Sequence, residues 1–355
     1  MGLFNPAEGH KLALGAEFFW EEFGLESKIR SFGPSQMGLV GKPDGTSWIT
    51  KMHSVISEYQ WQISPQFITF ADLRIDNHTF TDNMISGRVA GVFMPSDNNT
   101  FKLSLNRSER RQDDVDLYNT HNQSGEVDSE VIDNIELRFE RQHSAELWIA
   151  SSVYYDHYEI CGWVSNTQAI ESLGKLKLYG FEFELRYDSG GNQLLFSHNY
   201  TKLDEFGLAD NFLANNVSAD PYGYGNDLAN WSNNITKLSW NHDLYQHWTI
   251  SASANIYWGF PGGQDLADYN MAELNSRRNL PQYDSGETTA WDSESVFVNV
   301  GLEYRYNSEL TLNLNAINIA GWIDEDYNKR NSFQRTDTYR QEAASVTLSM
   351  TWNFR

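Results

Sequence analysis

The sequence predicts an all-β fold, and three features of the chain support this prediction. Apolar and polar residues alternate with a period of two in many segments, no segment of comparable length has the 3.6-residue period of a helix, and polar connections separate the segments. Because successive side chains of a strand point to opposite faces, each segment predicts a strand with one apolar and one polar face. The closing stretch SVTLSMTWNFR shows the pattern most clearly.

About fourteen such strands follow one another along the chain. Most of them exceed ten residues, whereas strands of soluble proteins usually contain about five or six. A tilted strand that crosses the hydrocarbon of a bilayer needs about 9 to 11 residues. The predicted strands cover residues 10–24, 53–64, 66–77, 84–94, 99–109, 130–142, 145–157, 172–187, 192–204, 233–243, 246–258, 294–306, 309–320 and 342–354.

The connections between these strands alternate between short and long. Outer-membrane barrels have short turns at one end and long loops at the other, so the alternation predicts a transmembrane antiparallel up-and-down β-barrel. The short connections fall at residues 64–65, 95–98, 142–144, 188–191, 243–245 and 307–308, and the longer ones at about 25–52, 78–83, 110–129, 158–171, 205–232, 259–293 and 321–341.

Aromatic residues gather close to the short turns and to the end of the chain. A soluble β-sandwich would explain the alternation within each strand, but it would not explain this clustering. Barrels in membranes carry aromatic girdles at the two interfaces, and the clustering predicts one of them. The residues are Tyr59, Trp61, Phe93, Phe139, Tyr187, Tyr245, Trp248, Tyr304, Tyr306, Trp352 and Phe354.

The composition excludes several classes of function. The chain has 48 acidic and 26 basic residues and a net charge of -22, which argues against a nucleic-acid partner because phosphates require a basic surface. Cys161 is the single cysteine, and the histidines lack the compact spacing of a zinc site. The chain also contains no G-x-S-x-G motif. We therefore expect no cofactor, no metal and no enzymatic activity.

Four segments of the chain contain strand motifs of one known protein family. Residues 58–94 are similar to a hairpin with an R-x-D strand end and an S-x-R strand, here Arg74, Asp76, Ser86 and Arg88. GFEFELRY at 180–187 resembles a G-x-E-x-E-x-x-Y strand, and LTLNLNAINIAG at 310–321 resembles the penultimate strand. SEVIDNIELRFER at 129–141 is similar to a further strand, although Arg138 stands where a small residue is usual. On these motifs the chain resembles the TonB-dependent outer-membrane receptor family, from about residue 8 to the end of the chain.

This resemblance implies both an architecture and a function. The fourteen strands would correspond to the last fourteen of a 22-stranded barrel, so residues 1–355 are expected to form a partial barrel domain without plug, TonB-binding segment or visible signal peptide. The expected location is the outer membrane of a Gram-negative bacterium. The implied activity is the uptake of a scarce ligand such as a ferric siderophore, with energy supplied through TonB. TonB would act through the missing N-terminal plug and strands, and the chain would be a barrel fragment.

A second interpretation remains open at this point. Unpaired strand edges are costly in lipid, where each unsatisfied backbone group costs several kcal/mol. Either the missing strands are supplied elsewhere, or the fourteen strands close on themselves. In the second case the chain would be a self-contained passive channel.

Three sets of residues are candidates for function. Charged residues in mid-strand are expected to face the lumen and, in the intact family, the plug, although a hydrated polar interior would look the same: Arg88, Arg138, Glu182, Glu184, Arg186, Glu303 and Arg305. Aromatic and basic residues of the long loops are candidates for ligand binding: Trp48, Trp163, Tyr222, Tyr224, Trp231, Tyr269, Arg277, Arg278 and Trp291. The last strand would face lipid and be recognised by the barrel-assembly machinery through Val346, Leu348, Met350, Trp352 and Phe354, with Arg355 following the terminal aromatic.

Overall fold

The computed structural model describes residues 1–23, 48–112, 117, 121, 129–164, 169–208, 232–259, 295–323 and 344–354. These residues form one antiparallel sheet of fifteen strands, and the strands lie in the sheet in the same order as in the sequence. Each strand between the two edges of this sheet therefore pairs with the strand before it and the strand after it. This arrangement confirms the predicted up-and-down topology.

All fourteen predicted strands are present. One further short strand, at the start of the chain, was not predicted. The strands are β1 (Gly2–Phe4), β2 (His10–Phe23), β3 (Trp48–Ser64), β4 (Phe67–His78), β5 (Met84–Ser96), β6 (Asn99–Arg110), β7 (Glu130–Gln142), β8 (Leu147–Val164), β9 (Ala169–Ser189), β10 (Asn192–Leu208), β11 (Asn234–Tyr245), β12 (Trp248–Trp258), β13 (Ser295–Arg305), β14 (Leu310–Ile317) and β15 (Ser345–Trp352). One short helix, α1 (Ala320–Ile323), follows β14. Among the described residues, no helix is long and apolar enough to cross a membrane.

Strands β8 and β9 extend beyond their predicted ends. Residues 158–171 were predicted to be a loop, but pairing continues from Glu159 opposite Lys175 to Val164 opposite Ala169. The extension carries polar residues on both faces, so its sequence lacks the alternation that identifies a strand. A cross-strand ion pair between Lys175 and Glu159 stabilises it instead.

The two faces of the sheet differ in chemistry. We call the face that carries Val89, Leu105, Leu137 and Val153 the outer face; these side chains are about half exposed. Large apolar side chains that are exposed in such a continuous band are unusual on a soluble monomer. A continuous apolar band of this kind is typical of the outer wall of a membrane β-barrel, which contacts lipid.

Aromatic rings line the outer face near the short turns. The ring centroids of Phe93 and Phe101 are 6.4 Å apart, and those of Phe101 and Phe139 are 4.9 Å apart. On later strands, Trp248 packs against Tyr304 at 4.4 Å. Rings of neighbouring strands therefore contact each other and form a continuous edge to the apolar band.

The tight turn between β9 and β10 shows why one end of the sheet can have such short connections. Gly190 and Gly191 occupy it with φ values of 56° and 83°. A two-residue turn with positive φ at both positions matches the right-handed twist of the strands that it joins, and glycine adopts this conformation without steric cost.

Strand β15 presents the predicted assembly residues on the outer face. Val346, Leu348 and Met350 pair in register with apolar residues of β14, and all eight residues of the strand are exposed. Trp352 stacks on Phe354 with ring centroids 5.1 Å apart. The predicted alternation of this strand is confirmed, and its recognition by the assembly machinery remains a prediction.

Candidate functional site

The candidate site is the inner face of the sheet, which is opposite to the outer face and carries Ser54, Arg74 and Arg88. Strand register places all seven predicted lumenal residues on this face, because the pairings from β5 to β13 carry the alternation of faces from each strand to the next. Their exposure to a lumen and their contact with a plug remain predictions. The structure adds their partners.

A first ionic network joins β2, β3 and β4 around Arg74. Its guanidinium donates to Asp76 at 2.8 Å, to Glu17 at 3.0 Å and to the hydroxyl of Ser54 at 3.0 Å. The Asp76 side chain is only 9% exposed, and the Arg74 guanidinium supplies the positive charge beside it. The Arg74 and Asp76 of the R-x-D motif are thus one charged unit that fixes three strands relative to each other.

Arg88, from the S-x-R motif, forms a separate pair. Its Nε donates to Asp72 of β4 at 2.8 Å, and the two residues are directly opposite in the register of β4 and β5. Half of the Arg88 side chain is exposed, so this pair is more hydrated than the Arg74 network. The pair adds β5 to the strands that ion pairs connect on the inner face.

A second ionic network spans β6 to β9. Glu140 accepts hydrogen bonds from Lys102 at 2.7 Å and from Arg138 at 2.8 Å. Arg138 also donates to Glu184 at 2.7 Å, and Glu184 accepts from Arg186 at 3.4 Å. Arg138, which replaces the usual small residue of the family strand, is therefore the centre of this network.

The indole of Trp148 lies beside the two arginines of the second network. The Arg186 guanidinium is 4.6 Å from the ring centroid and that of Arg138 is 5.9 Å away. Cations over an indole face gain electrostatic stabilisation from the ring quadrupole. Trp148 thus holds two positive charges close together near the short-turn end of the inner face.

A polar pocket of about 350 Å³ lies between this network and the long-loop end of the same strands. Its carboxylates are held by amide side chains, since Asn199 donates to Glu182 at 2.9 Å and Asn134 donates to Asp156. The lining residues are Asn134, Glu136, Tyr154, Asp156, Tyr158, Leu178, Glu182 and Thr201. The lining contains three carboxylates and no basic residue, so the pocket favours a cationic group.

Gly180 determines the position of the Tyr154 side chain at the wall of this pocket. A Cβ at residue 180 would lie 2.2 Å from the Tyr154 ring and 2.6 Å from the carbonyl oxygen of Tyr200. Tyr154 therefore lies flat over the glycine, and its hydroxyl hydrogen-bonds with Thr201. The glycine of the G-x-E-x-E-x-x-Y motif has a packing role that its motif position alone did not show.

The chain beyond β6 contacts the inner face at the long-loop end. Arg111 lies 3.4 Å from Glu21 of β2, although three strands separate β2 from β6 in the sheet. Phe80 packs against His121 with ring centroids 4.7 Å apart. Arg111 and His121, which follow β6 in the sequence, thus contact Glu21 of β2 and Phe80, which follows β4.

The inner face of β11 to β15 carries mainly neutral side chains, and its described charged residues are Lys237, Asp243, Glu303 and Arg305. Asn299 donates to Ser253 at 3.2 Å and accepts from the backbone amide of Asn318 at 2.9 Å. Glu303 and Arg305 form an ion pair near the short-turn end. Two of the predicted lumenal residues are thus partners of each other.

Two of the nine predicted ligand-binding residues lie among the described residues. Trp48 and Trp163 were expected in long loops, and this placement was wrong because they lie at the long-loop ends of β3 and β8. Their role in ligand binding remains a prediction. The other seven predicted residues lie outside the described residues: Tyr222, Tyr224, Trp231, Tyr269, Arg277, Arg278 and Trp291.

Sequence reasoning missed several residues of the inner face. Glu17, Asp72 and Lys102 complete the ion pairs described above. They occupy the same alternating positions as the predicted lumenal residues, so the period of two could have identified their face. It could not identify their partners, which depend on the register between strands.

The comparisons with known proteins agree with this architecture. A family model described as TonB dependent receptor-like, beta-barrel matches residues 8–319. No curated protein matches the sequence significantly. The matched family model covers most of the chain and includes both ionic networks.

Solved structures with the same fold include iron and siderophore receptors. The FrpB iron transporter from Neisseria meningitidis (F3-3 variant) superimposes with a TM-score of 0.65 at 16% identity, covering 99% of this chain and 53% of that protein. The siderophore receptor PirA from Acinetobacter baumannii gives a TM-score of 0.66 at 13% identity, covering 99% and 53%. A mutant of the ferric enterobactin receptor PfeA from Pseudomonas aeruginosa gives 0.57 at 16%, covering 88% and 46%.

The chain thus spans about half the length of these structures. At this level of identity the likeness establishes the fold, and the family match establishes the relationship. The neighbours are named as an iron transporter, a siderophore receptor and a ferric enterobactin receptor. The chain belongs to the TonB-dependent receptor-like β-barrel family.

Proposed function

We propose that the chain forms the barrel wall of an outer-membrane receptor in a Gram-negative bacterium, and that this receptor takes up a scarce ligand such as a ferric siderophore by TonB-dependent transport. The family match over residues 8–319 carries the proposal. The names of the structural neighbours, an iron transporter and siderophore receptors, support the choice of ligand class.

The charge of the inner face supports contact with a plug domain. The pocket lined by Glu136, Asp156 and Glu182 presents carboxylates toward the lumen, and the Trp148 cluster presents guanidinium groups closer to the short turns. The carboxylates of the pocket and the guanidinium groups beside Trp148 would together orient a plug domain that carries complementary charges. Energy from TonB would reach this wall through the plug and the remaining strands of the barrel, of which residues 1–355 are a part.

Location and assembly are proposed on the same basis. The apolar outer face, with side chains such as Val89 and Leu348 exposed, fits contact with outer-membrane lipid. The alternating strand β15, with Trp352 and Phe354 at its end, would be the segment that the barrel-assembly machinery recognises.

The test is an uptake measurement in cells. The protein is expressed in an iron-starved Gram-negative strain without its own siderophore receptors, and uptake of radioactive iron is measured with a panel of ferric siderophores. We expect uptake of at least one complex, and its loss when the gene for TonB is deleted. Permeation that is equal with and without TonB would contradict the proposal and favour the passive channel.

A further inference from the structure

One row of residues on the inner face of β11 to β15 contains no charged side chain. Register aligns five residues in it, one from each strand, in the order Asn241, Ser251, Gly301, Asn315 and Thr347. We call these five residues the neutral row. Because neighbouring strands are about 4.8 Å apart, the row is about 20 Å long. It therefore crosses the full width of this part of the wall.

The polar side chains of the neutral row keep their hydrogen-bonding capacity. Within the described part of the chain, these four side chains make no hydrogen bond to another residue. Asn315 and Thr347 are exposed, and Asn241 and Ser251 are half-buried. An amide side chain offers two donors and one acceptor oxygen, and a hydroxyl both donates and accepts. The partners of these groups are therefore supplied from the inner side of the wall, by water or by a solute.

Side chains of the same types are engaged elsewhere on the inner face. On β6, Asn106 donates to Asn134 at 2.7 Å and to Ser104 at 3.3 Å. On β10, Asn199 donates to Glu182 at 2.9 Å. The amides of β6 to β10 thus bond within the wall, whereas those of the neutral row remain available. This availability follows from their place in the wall and not from their residue type.

Gly301 brings two of these side chains close together at the centre of the row. A Cβ at residue 301 would clash with Oγ of Ser251 and would lie 2.8 Å from Oδ1 of Asn315. The hydroxyl and the amide oxygen therefore flank the glycine from the two neighbouring strands. A hydroxyl or amide group above the glycine could donate to Oδ1 of Asn315 and accept from the Ser251 hydroxyl at the same time. An ionised group would find no opposite charge in the row.

The charges around the neutral row cancel. Asp243 and Glu303 lie in the next row toward the short turns, where Glu303 is paired with Arg305. Lys237 lies two rows away, toward the long loops. Neither side of the row therefore carries a surplus of positive charge that would attract an anion.

Aromatic rings lie on the same face at the long-loop end of these strands. The ring centroids of Tyr257 and Phe297 are 6.1 Å apart, and Phe297 lies opposite Asn255 in the register. Between the two rings and the neutral row lie the uncharged side chains of Ser253 and Asn299. Aromatic rings combined with a few polar groups are typical of sites for small molecules.

We propose that the neutral row contacts the transported ligand inside the barrel, and that this ligand is an uncharged molecule with hydroxyl or amide groups. The proposal rests on the uptake function proposed above and specifies its ligand class. Three hydroxamates neutralise the charge of ferric iron, whereas three catecholates leave the complex negatively charged. The neutral row fits the first kind of complex, because it offers hydrogen bonds but no cation to offset the desolvation of an anion. The ionic networks of β2 to β10 suit a plug domain of complementary charge instead.

The test measures binding of two radioactive iron complexes to the purified chain in an uncharged detergent, by equilibrium dialysis. The probes are ferrichrome, an uncharged cyclic peptide complex with three hydroxamates, and ferric enterobactin, a negatively charged complex with three catecholates. We expect ferrichrome to bind more tightly by about tenfold, the effect of one or two hydrogen bonds. Equal binding of the two complexes, tighter binding of ferric enterobactin, or no binding of ferrichrome would overturn the proposal.

Variants locate the contact on the wall. The double variant Ser251→Ala with Asn315→Ala removes the two groups that flank Gly301 and breaks no hydrogen bond of the described wall, so the fold should be preserved. Its affinity for ferrichrome should fall by about tenfold. The matched control is Ser104→Ala with Asn106→Ala, which removes the same residue types from the inner face of β6 and should keep the affinity. An unchanged affinity in the first variant, or an equal loss in the control, would overturn the assignment.

Binding and uptake fail in distinguishable ways. Dialysis uses purified protein without TonB, so ferrichrome binding that depends on the neutral row, without TonB-dependent uptake in cells, would contradict the proposed transport and not the contact surface. TonB-dependent uptake together with unchanged binding in the Ser251 and Asn315 double variant would contradict the contact surface alone. That second result would indicate that the neutral row faces the plug domain.

Discussion

The inner face of β2 to β10 and the inner face of β11 to β15 belong to one sheet but are stabilised differently. The first is crossed by ionic networks centred on Arg74 and Arg138. On the second, the described side chains are mainly amides and hydroxyls, such as Asn299 and Ser253. Its charged residues are Lys237, Asp243 and the ion pair of Glu303 with Arg305.

This difference shows that a polar lumen can be built in two ways. Charged side chains that pair across several strands fix those strands to each other and expose a definite pattern of charge. Neutral side chains satisfy their hydrogen bonds locally and leave the wall nearly uncharged. Substitutions of the same type should therefore have larger effects on β2 to β10 than on β11 to β15.

The largest effect is expected from glycine replacement. Gly180→Ala places a Cβ 2.6 Å from the carbonyl oxygen of Tyr200, a backbone atom that cannot move aside, and it displaces the Tyr154 ring. We expect a loss of about 3 kcal/mol in the free energy of unfolding, measured by urea titration in micelles. In Gly301→Ala, the near atoms are side-chain oxygens of Ser251 and Asn315, so the loss should be about 1 kcal/mol. Equal losses would contradict the packing role of Gly180.

Removal of Arg74 should have the next largest effect. Arg74→Ala leaves Asp76, Glu17 and Ser54 without their shared donor, and Asp76 is almost buried. We expect a loss of about 2 kcal/mol in unfolding free energy. The control Arg74→Lys keeps the charge but not the planar fork, so it should recover part of the loss. A stability of Arg74→Ala equal to wild type would show that the network does not stabilise the three strands.

A smaller effect is expected at Trp148. Trp148→Leu removes the ring beside Arg138 and Arg186 and should lower the unfolding free energy by about 1 kcal/mol. Trp148→Phe retains an aromatic face and should lose less. If the two variants were equally stable, the contact between the ring and the guanidinium groups would not contribute.

The smallest effect is expected for the ion pair of the neutral region. The Arg305 side chain is 59% exposed, and exposed pairs contribute little. We expect Arg305→Ala to change the unfolding free energy by less than about 0.5 kcal/mol. A loss as large as that of Arg74→Ala would remove the proposed distinction between the two regions.

Much of the fold could be predicted because apolar and polar residues alternate with a period of two in nearly every strand. Strand β12 carries it from end to end and β6 carries it as far as Leu105, and the short turns are marked by residues such as Gly190 and Gly191. The three residues of β1 are too few to show any period. The long-loop ends of β8 and β9 were missed because polar residues occur there on both faces.

The sequence indicates on which face of the sheet the residues of the candidate site lie, but not which residues they contact. Alternation placed Arg138 and Glu184 on the inner face, yet their contact depends on the register across β7, β8 and β9. The role of Gly180 required the position of Tyr154 on the neighbouring strand.

The most direct test of the central claim is the accessibility of spin labels along the strands of the protein in a bilayer. Cys161 is first replaced by serine, and single cysteines are then placed at neighbouring positions on opposite faces, Leu103 and Ser104 of β6 and Ala254 and Ser253 of β12. If the outer face contacts lipid and the inner face lines an aqueous lumen, labels at 103 and 254 will be relaxed mainly by oxygen and labels at 104 and 253 by a water-soluble nickel complex. Equal accessibility of the two faces, in either region, would contradict the assignment of this sheet as a membrane-barrel wall.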